Sequence, residues 1–342
     1  MAASKSSPCS NLPDRLQSFL AARTGPADRL CVGLSGGRDS VVLLHLLAGL
    51  GLGERLTALH VHHGLSLRAD DWAAFCGGLC ARLGVPLAVA RVAVPRDTGL
   101  GLEAAARQAR YRAFAASGAD CLLLAHHQGD QAETVLFNLL RGAGVAGAAA
   151  MRAERPLGGL RLLRPLLDVP RRAIEDYAAA RGLAWIDDES NADTGFSRNF
   201  LRHDVLPVIA GRFPQAADAL AQAAANFAEA DALLEELAAN DWQACARGDL
   251  LPVEALRRLS FPRLKNLLRH RLRVLGWGLP VASRLDEFAR QLIAAGPGKR
   301  PQLRLPEGEM RVLRGKLRWL PGSTGESPLV PGLRLESPNS VS

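Results

Sequence analysis

A hexapeptide of small and polar residues, Ser35–Ser40, reads Ser-Gly-Gly-Arg-Asp-Ser and lies between two apolar segments. The preceding Leu30–Leu34 is typical of a buried strand, and the following Val41–Leu47 is typical of a buried helix. The two glycines permit a sharp turn and the close approach of a ligand to the backbone. Unpaired N–H groups and the dipole at a helix N-terminus favour an anion such as phosphate. The predicted nucleotide-binding residues are therefore Ser35, Gly36, Gly37, Arg38, Asp39 and Ser40.

The carboxylate in this loop needs a separate explanation. Asp39 would repel a phosphate group unless a cation lay between them, so we predict magnesium at Asp39 together with nucleotide pyrophosphate. An ordinary strand-to-helix turn would also contain Gly, Ser and Asp. We favour the nucleotide site because the hexapeptide is complete and has both flanking elements. It is neither a Walker A loop, which needs Gly-Lys-Ser/Thr, nor the dinucleotide motif Gly-x-Gly-x-x-Gly.

A second polar segment, residues 126–134, begins where an apolar segment ends and runs into a predicted helix. Asp130 can cap that helix and Glu133 would complete a capping box, which would explain both residues without a function. In the functional alternative, the two carboxylates bind an amine or a metal ion, and the neighbouring pair His126 and His127 donates to a phosphate or a base. The presence of the Ser35–Ser40 loop favours the functional interpretation.

Strand-like apolar segments alternate with predicted helices from Leu30 to about Asp188. The strand candidates are Leu30–Leu34, Leu56–Val61, Leu87–Val92 and Cys121–Ala125. The helix candidates are Ser40–Leu50, Asp70–Leu83, Leu102–Ser117 and Asp130–Leu140. This alternation predicts an α/β fold with a doubly wound parallel sheet and right-handed crossovers. Ligands bind beyond the carboxyl ends of such strands, where the Ser35 loop, residues 60–64 and residues 125–128 all lie.

The chain changes character after a turn-rich segment at residues 187–193. A long Ala/Leu helix is predicted from Pro214 to about Ala239. Further helices are predicted at Phe261–Leu275, which is basic, and at Ala282–Ala294, and strands at Gln302–Leu305, Arg311–Leu313 and Leu317–Leu320. We therefore predict a second, smaller and mostly helical domain. The predicted organisation is an N-terminal extension (1–26), a catalytic domain (27–212), a linking helix (213–245), a substrate-binding domain (246–321) and a disordered tail (322–342).

Arginines on two predicted helices leave two interpretations open. Arg107 forms an i, i+4 pair with Glu103, but it could also neutralise a phosphate at the sheet edge. Arg198 and Arg202 have the same spacing and would share a helix face, where they suit contacts to a phosphate backbone. A solvated basic face would account for this second pair equally well.

The composition narrows the class of protein. Of 342 residues, 48% are apolar, and the formal charge of +8 suits a nucleic acid partner without requiring one. No apolar run approaches the roughly 20 residues that span a bilayer, and residues 1–13 lack the pattern of a secretion signal. Six scattered cysteines indicate buried thiols in a reducing cytoplasm. Cys76 and Cys80 are too few ligands for a zinc site.

Several segments, taken in order, carry a family resemblance. They are Leu34–Ser40, Val61–Leu65, Glu103–Tyr111, residues 126–134, Asn138–Gly144, Arg164–Leu167, Asp188–Asn191 and Arg198–Pro207. The first resembles the PP-loop of the ATP pyrophosphatase superfamily. The ordered set resembles the tRNA(Ile)-lysidine synthetase family, and the part after the long helix is similar, more loosely, to that family's tRNA-side domain.

This resemblance implies a two-step reaction. ATP adenylates the 2-carbonyl oxygen of the wobble cytidine in the CAU anticodon of an isoleucine tRNA, and the ε-amine of free lysine then displaces AMP. The implied catalytic residues are Asp39 as magnesium ligand, Arg107 at the α-phosphate, and Asp130 and Glu133 at the lysine ammonium. The resemblance also implies that His126 binds the nucleotide. The implied tRNA-binding residues are Arg141, Arg198, Asn199 and Arg202.

Alternatives to this activity differ in what they require. Cytidine 2-thiolation shares the adenylation step but usually needs a Cys-x-x-Cys pair, which the sequence lacks. Amidating PP-loop enzymes need an ammonia source, and no glutaminase-like segment is visible. A non-catalytic, ATP-regulated RNA-binding protein would bind both ligands without releasing AMP.

We expect a further C-terminal domain of longer family members to be missing, and Ala148–Ala150 departs from the family's Gly- and Leu-containing loop. Whether the chain forms a homodimer stays open.

Overall fold

In the computed structural model, residues 12–94, 102–189, 193–195, 197–296, 298–322 and 334–336 are described. They divide into two compact units, with a boundary between Ala228 and Glu229 and with residues 334–336 in the first unit. Within the described residues, each unit contains one β-sheet.

Eleven strands are present among the described residues. They are β1 (Leu30–Gly33), β2 (Leu56–His62), β3 (Leu87–Arg91), β4 (Cys121–Leu123), β5 (Glu154–Leu157), β6 (Leu160–Leu163), β7 (Leu251–Pro252), β8 (Gln302–Leu305), β9 (Gly308–Leu313), β10 (Lys316–Pro321) and β11 (Arg334–Glu336).

The α-helices of the first unit are α1 (Leu12–Ala21), α2 (Arg38–Gly49), α3 (Ala69–Leu83), α4 (Leu102–Ala115), α5 (Gln128–Leu140), α6 (Val145–Ala148), α7 (Arg171–Ala180), α8 (Ser197–Phe200) and α9 (Leu206–Arg212). A π-helical segment, Leu201–Val205, joins α8 to α9. The long helix α10 (Ala216–Cys245) contains the boundary between the units, and α11 (Val253–Leu256), α12 (Phe261–Val274) and α13 (Ala282–Ala294) belong to the second unit.

The sheet of the first unit has the order β11-β3-β2-β1-β4-β6-β5. Strands β1, β2, β3, β4 and β6 are parallel, whereas β5 and β11 are antiparallel to their neighbours. The chain proceeds outward from β1 to β3 and then returns to the other side of β1 as β4. The loops that follow β1 and β4 therefore leave the sheet at a topological switch point, where a crevice opens.

Both faces of this sheet are covered, which explains the nearly continuous apolar strands. On β1, Leu30 and Val32 pack in a core with residues of α1, α2, α3 and α7. Cys31, which points to the other face, packs instead with Phe114 of α4. This alternation follows from the two-residue period of a strand. The predicted doubly wound α/β fold is confirmed.

The second unit combines helices with a four-stranded antiparallel sheet of order β7-β10-β9-β8. Its core contains Leu264 and Leu268 of α12, Phe288 of α13 and Met310 of β9. The basic helix α12 is paired with acidic residues within its own unit. These pairs are Arg263–Asp241, Lys265–Asp286, His270–Glu235, Arg271–Asp249 and Arg273 with Asp231 and Glu235. Much of this helix's positive charge is therefore neutralised by ion pairs within the second unit.

The structure also departs from the predicted elements. The predicted strand set lacks β5 and β6, and α10 continues six residues beyond Ala239 to Cys245. The predicted disordered tail contains β11, which pairs with β3. Strand β3 would otherwise present its unpaired backbone groups at the edge of the sheet. Among the residues described, no helix is long and apolar enough to span a membrane.

Candidate functional site

The β1–α2 loop holds a helix N-terminus at the switch point. Helix α2 begins at Arg38, two residues before the predicted start, and Gly37 is its N-cap residue in an extended conformation. The side chain of Ser40 donates to the carbonyl of Gly37 at 2.8 Å, and the hydroxyls of Ser35 and Ser40 lie 3.1 Å apart. The backbone N–H groups of the first turn have no partners within the helix. The loop thus has the donors that a phosphate group needs.

Gly36 has a structural requirement of its own. Its φ of +87° lies in the left-handed region, and a Cβ atom at this position would lie 2.6 Å from Cδ1 of Ile186. The carbonyl of Gly36 accepts a hydrogen bond from the N–H of Ile186 at 2.9 Å. The segment after α7 therefore packs directly on the loop and leaves no room for a side chain.

His127 lies between the carboxylates of the two loops. Its Nε2 atom is 3.5 Å from Oδ2 of Asp39 on α2 and 3.8 Å from Oδ2 of Asp130 on α5. His127 is 4% exposed, so this contact is shielded from solvent. The structure thus brings together the two segments whose convergence the sequence predicted.

His127 also caps α5, which changes the predicted cap. Nδ1 of His127 accepts from the N–H of Gly129 at 2.9 Å, and Asp130 accepts from the N–H of His127 at 2.9 Å. The predicted capping box of Asp130 and Glu133 is therefore wrong by three residues. It is formed by His127 and Asp130, which leaves Glu133 free of any capping role.

The protonation of this group follows from its contacts. Burial opposes the charge on Asp39, but His127 and Arg38 outweigh it and hold the pKa of Asp39 below its usual value. Burial lowers the pKa of His127, and the Asp39 and Asp130 carboxylates raise it by more. The neutral tautomer with its proton on Nε2 satisfies both sides of the ring, since Nδ1 then accepts from Gly129 and Nε2–H faces Asp39.

Glu133 and Arg202 form a bidentate ion pair inside the protein. Nε of Arg202 lies 2.5 Å from Oε1 of Glu133, and Nη2 lies 2.9 Å from Oε2 and 3.2 Å from Oδ1 of Asp130. Glu133 is only 5% exposed. Burial raises the pKa of Glu133 above its ordinary value even though Arg202 lowers it. Arg202, predicted to contact tRNA phosphates, is directed instead at both predicted catalytic carboxylates.

The other predicted tRNA-binding residues lie beside the same helix. The guanidinium groups of Arg141 and Arg198 lie 5.0 and 5.9 Å from the ring centre of Phe137 on α5. Asn199 donates from its side chain to the carbonyl of Asp193 at 2.9 Å. Arg141 and Arg198 therefore lie beside Phe137 of α5, and Asn199 belongs to α8, which packs on that helix.

Arg38 and Arg107 occupy the periphery of this arrangement. Arg38 lies between Asp39, 3.3 Å away, and Glu175 of α7, 2.8 Å away, so it links the loop to α7. Arg107 is exposed and contacts the hydroxyl of Tyr111 at 3.3 Å. The predicted partner Glu103 lies in the part of α4 whose side chains are not described.

His126 is a buried polar group at the same edge. Its Nδ1 atom is inaccessible to solvent and has no hydrogen-bond partner among the described residues. Burial lowers the pKa of His126 to about 4. The positive charges of Arg164, Arg107 and Arg198 also lower it, whereas the negative charge of Asp130 raises it. A neutral imidazole is therefore available to a ligand at this position.

Arg164 was missed as a functional candidate. Arg164 directly follows β6 at the edge that carries the other loops, and it is 3% exposed. Its Nη1 donates to the carbonyl of Arg152 at 2.7 Å, while its Nε has no partner in the described structure. The signal was a charged residue directly after Leu162 and Leu163, at the end of the leucine-rich segment Leu160–Leu163.

Two of the three histidines at the end of β2 have local partners. His60 lies 2.9 Å from the carbonyl of Leu34 through Nδ1, and Nε2 of His62 lies 3.2 Å from Asp70. Burial lowers the pKa of His63 to about 4. Over the described ranges, no group of three or more His, Cys, Asp or Glu side chains is arranged to hold a metal ion.

Two family models match the chain. Residues 9–209 match one described as a PP-loop domain, and residues 251–318 match one described as a TilS substrate binding domain.

Curated relatives with the name tRNA(Ile)-lysidine synthase are similar over most of the chain. The protein of Alkalilimnicola ehrlichii is 48% identical over 324 residues, which are 94% of this chain and 72% of the relative. The protein of an Azoarcus species is 51% identical, over 85% of this chain and 64% of the relative. The protein of Pseudomonas aeruginosa is 49% identical, over 85% of this chain and 69% of the relative.

A solved structure shares the fold. A U34-tRNA thiolase from Methanococcus maripaludis, determined with its 4Fe–4S cluster, has a TM-score of 0.52 and 17% sequence identity. The match covers 65% of this chain and 79% of the thiolase. At this identity the likeness concerns the fold alone.

Gly36→Ala tests the packing of the loop. We expect a loss of unfolding free energy from the left-handed φ, about 1–2 kcal/mol, and a further loss from the contact with Ile186. Gly51→Ala is the matched control, since its φ is +64° and no atom lies within 4 Å of the added Cβ. Urea unfolding followed by tryptophan fluorescence measures both variants. Equal losses would show that Ile186 places no constraint on the loop.

Histidine 126 gives a pH-dependent contribution to stability. Its folded pKa of about 4 lies below the ordinary value of 6.5, so between these values the unfolded state binds more protons. The free energy of unfolding should therefore fall as the pH drops from 6.5 to 4, by ~3 kcal/mol at most from this group. His126→Gln should flatten that slope. An unchanged slope in His126→Gln would contradict the assignment.

Proposed function

The chain belongs to the tRNA(Ile)-lysidine synthase family, and on that premise we propose that it uses ATP to join lysine to the wobble cytidine of an isoleucine tRNA. The family provides the overall activity. The finer steps, namely adenylation of the CAU anticodon base and attack by free lysine, are our proposal. The observation that carries it is the position of Asp39 and Asp130 on either side of His127 at the switch point.

The first step places ATP on the β1–α2 loop. The N–H groups at the start of α2 and the hydroxyls of Ser35 and Ser40 would bind the pyrophosphate part. The cytidine O2 attacks the α-phosphorus, a new O–P bond forms, and the bond to the β-phosphate breaks. In this step Arg107 would contact the α-phosphate and neutralise the negative charge that develops there. His126 would donate to the nucleotide from its otherwise unpaired ring.

A magnesium ion that is bound by both the protein and the substrate fits this arrangement. Proteins often bind Mg²⁺ through one or two carboxylates plus phosphate oxygens. The Asp39 side chain is 32% exposed and lies in the first turn of α2, beside the predicted phosphate site. Asp39 would therefore hold the ion, which supplies charge neutralisation when bound.

The second step needs a neutral amine at the adenylated carbon. Asp130 and Glu133 would receive the ε-ammonium of lysine, and the raised pKa of Glu133 makes it a better proton acceptor than an ordinary glutamate. The amine then forms a bond to C2 of the base, and the C2–O bond to AMP breaks. In the present structure the Arg202 guanidinium pairs with both of these carboxylates. In this proposal the lysine ammonium would have to displace Arg202.

The remaining assignments concern RNA and organisation. Arg141, Arg198 and Asn199 would contact the tRNA near α5. We propose that residues 27–212 form the catalytic domain, 213–245 a linking helix and 246–321 the substrate-binding domain. We further propose that the enzyme acts in the cytoplasm, where its tRNA substrate is found, and that a homodimer is compatible with this activity.

The described residues favour neither of the two alternative activities. Thiolation would need accessible cysteines, yet the five described cysteines, at positions 31, 76, 80, 121 and 245, are all buried. Burial raises the pKa of Cys76 to about 12 and that of Cys80 to about 11, so neither provides a thiolate at neutral pH. A non-catalytic RNA-binding protein would have no use for a carboxylate pair next to the nucleotide loop.

One assay tests the proposed function. The protein is incubated with ATP, isotope-labelled lysine and an isoleucine tRNA with a CAU anticodon, and the nucleosides are analysed by mass spectrometry. We expect labelled lysidine together with equimolar AMP and pyrophosphate. Asp39→Asn should reduce all three products by about two orders of magnitude or more, and Asp176→Asn on α7 is the control. Binding of ATP and tRNA without AMP would overturn the proposal.

Substitutions at Arg202 and Glu133 should change the KM for lysine in opposite directions. Arg202→Gln removes the internal competitor, so the KM for lysine should fall about tenfold or more, since an ion-paired hydrogen bond contributes about 1.5–3 kcal/mol. Glu133→Gln removes a carboxylate, so the KM for lysine should rise. Arg15→Gln, which breaks an exposed pair with Asp168, is the control. A KM for lysine that rises in both variants would show that Arg202 helps to bind lysine instead of competing with it.

A further inference from the structure

A cleft of about 630 Å³ lies beside the carboxylate site in the first unit, and we name it the Phe213 cleft. Its walls come from the end of α5, from α9 and from the start of α10. They include Leu136, Ile209, Arg212, Phe213 and Gln215. No part of the proposed reaction uses this cleft.

The lining of the Phe213 cleft has the chemistry of a base-binding site. Phe213 is 62% exposed, although a large aromatic ring in solvent is unfavourable. The guanidinium of Arg212 lies 5.8 Å from the centre of that ring. Proteins bind unstacked RNA bases between aromatic rings and guanidinium planes and read their edges with amides. Gln215 supplies such an amide at the same cleft.

Charge complementarity favours a polyanion as the occupant. The cleft lining contains one cation, Arg212, and no carboxylate. Leu136 adjoins Phe137, whose ring lies near the guanidinium groups of Arg141 and Arg198. A second arginine–phenylalanine group thus includes the residue that follows Leu136 on α5, and it adds a stacking surface and charges for backbone phosphates.

The cleft is also close to the reacting groups. Leu136 follows Glu133 by three residues on α5, a rise of about 4.5 Å along the helix on the same face. On the other side, the π-helical segment that carries Arg202 runs directly into α9, which contributes Ile209 and Arg212. An RNA base in the cleft would therefore lie near the base that reacts.

We propose that the Phe213 cleft binds an unstacked nucleobase of the substrate RNA, from the same loop as the modified cytidine. The inference rests on the proposed function, because it takes RNA as the substrate. A base held there would fix the loop while a neighbouring nucleotide enters the carboxylate site. The cleft would contribute to RNA affinity and would leave ATP and lysine binding unaffected.

Substitutions at Phe213 test this proposal. Phe213→Ala should raise the KM for RNA at least about fivefold, since one stacked base contributes about 1–3 kcal/mol. The KM values for ATP and lysine should stay unchanged. Phe213→Tyr should restore the RNA affinity because it keeps the ring. Val208→Ala is the matched control, since Val208 is 75% exposed on α9 but does not line the cleft.

A direct measurement uses RNA hairpins of the anticodon arm with 2-aminopurine at successive loop positions. One position should change fluorescence on binding the wild-type protein and lose that change with Phe213→Ala. An unchanged RNA KM and unchanged fluorescence in Phe213→Ala would overturn the proposal. So would a dimer that becomes monomeric in light scattering with RNA affinity intact, since the cleft would then bind a second copy. Failure of lysidine formation with the fluorescence change retained would instead contradict the proposed function alone.

Discussion

The reversal of chain direction between β1 and β4 determines where the polar loops can meet. Because β2 and β3 extend to one side of β1 and β4 and β6 to the other, the connections after β1 and β4 diverge and leave a crevice. Helix α2 and helix α5 both begin there, so the positive ends of both helix dipoles lie at this crevice. Every group in our proposed reaction depends on this topology.

The charges in the crevice depend on one another. Asp39 and Asp130 share His127, and Glu133 and Asp130 share Arg202. A buried carboxylate is costly without a partner, so each ionised acid has a cationic or hydrogen-bonding neighbour. In the proposed reaction, a substrate amine would enter by replacing one of these neighbours. This exchange would make the site selective for a group that resembles a guanidinium in charge and reach.

The sequence predicted the framework better than the details of the site. Buried parallel strands such as β1 and β4 are apolar, so their positions were clear. The β5–β6 hairpin was not predicted because Glu154, Arg155 and Pro156 interrupt any strand-like pattern. The capping frame of α5 was wrong because histidine rarely serves as an N-cap residue, and serine or aspartate was the stronger expectation.

Long-range pairing was outside the reach of residue spacing. Arg202 and Glu133 are 69 residues apart in sequence, and only the packing of the π-helical segment on α5 brings them together. The i, i+4 spacing of Arg198 and Arg202 correctly indicated related positions. Both side chains, however, contact α5. Local patterns reveal which side chains lie near each other on one element, but they do not reveal the partner that the element packs against.

The two outer strands of the large sheet have a bearing on the behaviour of the protein at high concentration. On one side β11 covers β3 in antiparallel pairing. On the other side β5 is terminal and contains Pro156, which has no N–H to donate, next to the charged Glu154 and Arg155. Proline and charge discourage another polypeptide from extending the sheet there. The protein thereby limits edge-to-edge aggregation at that margin.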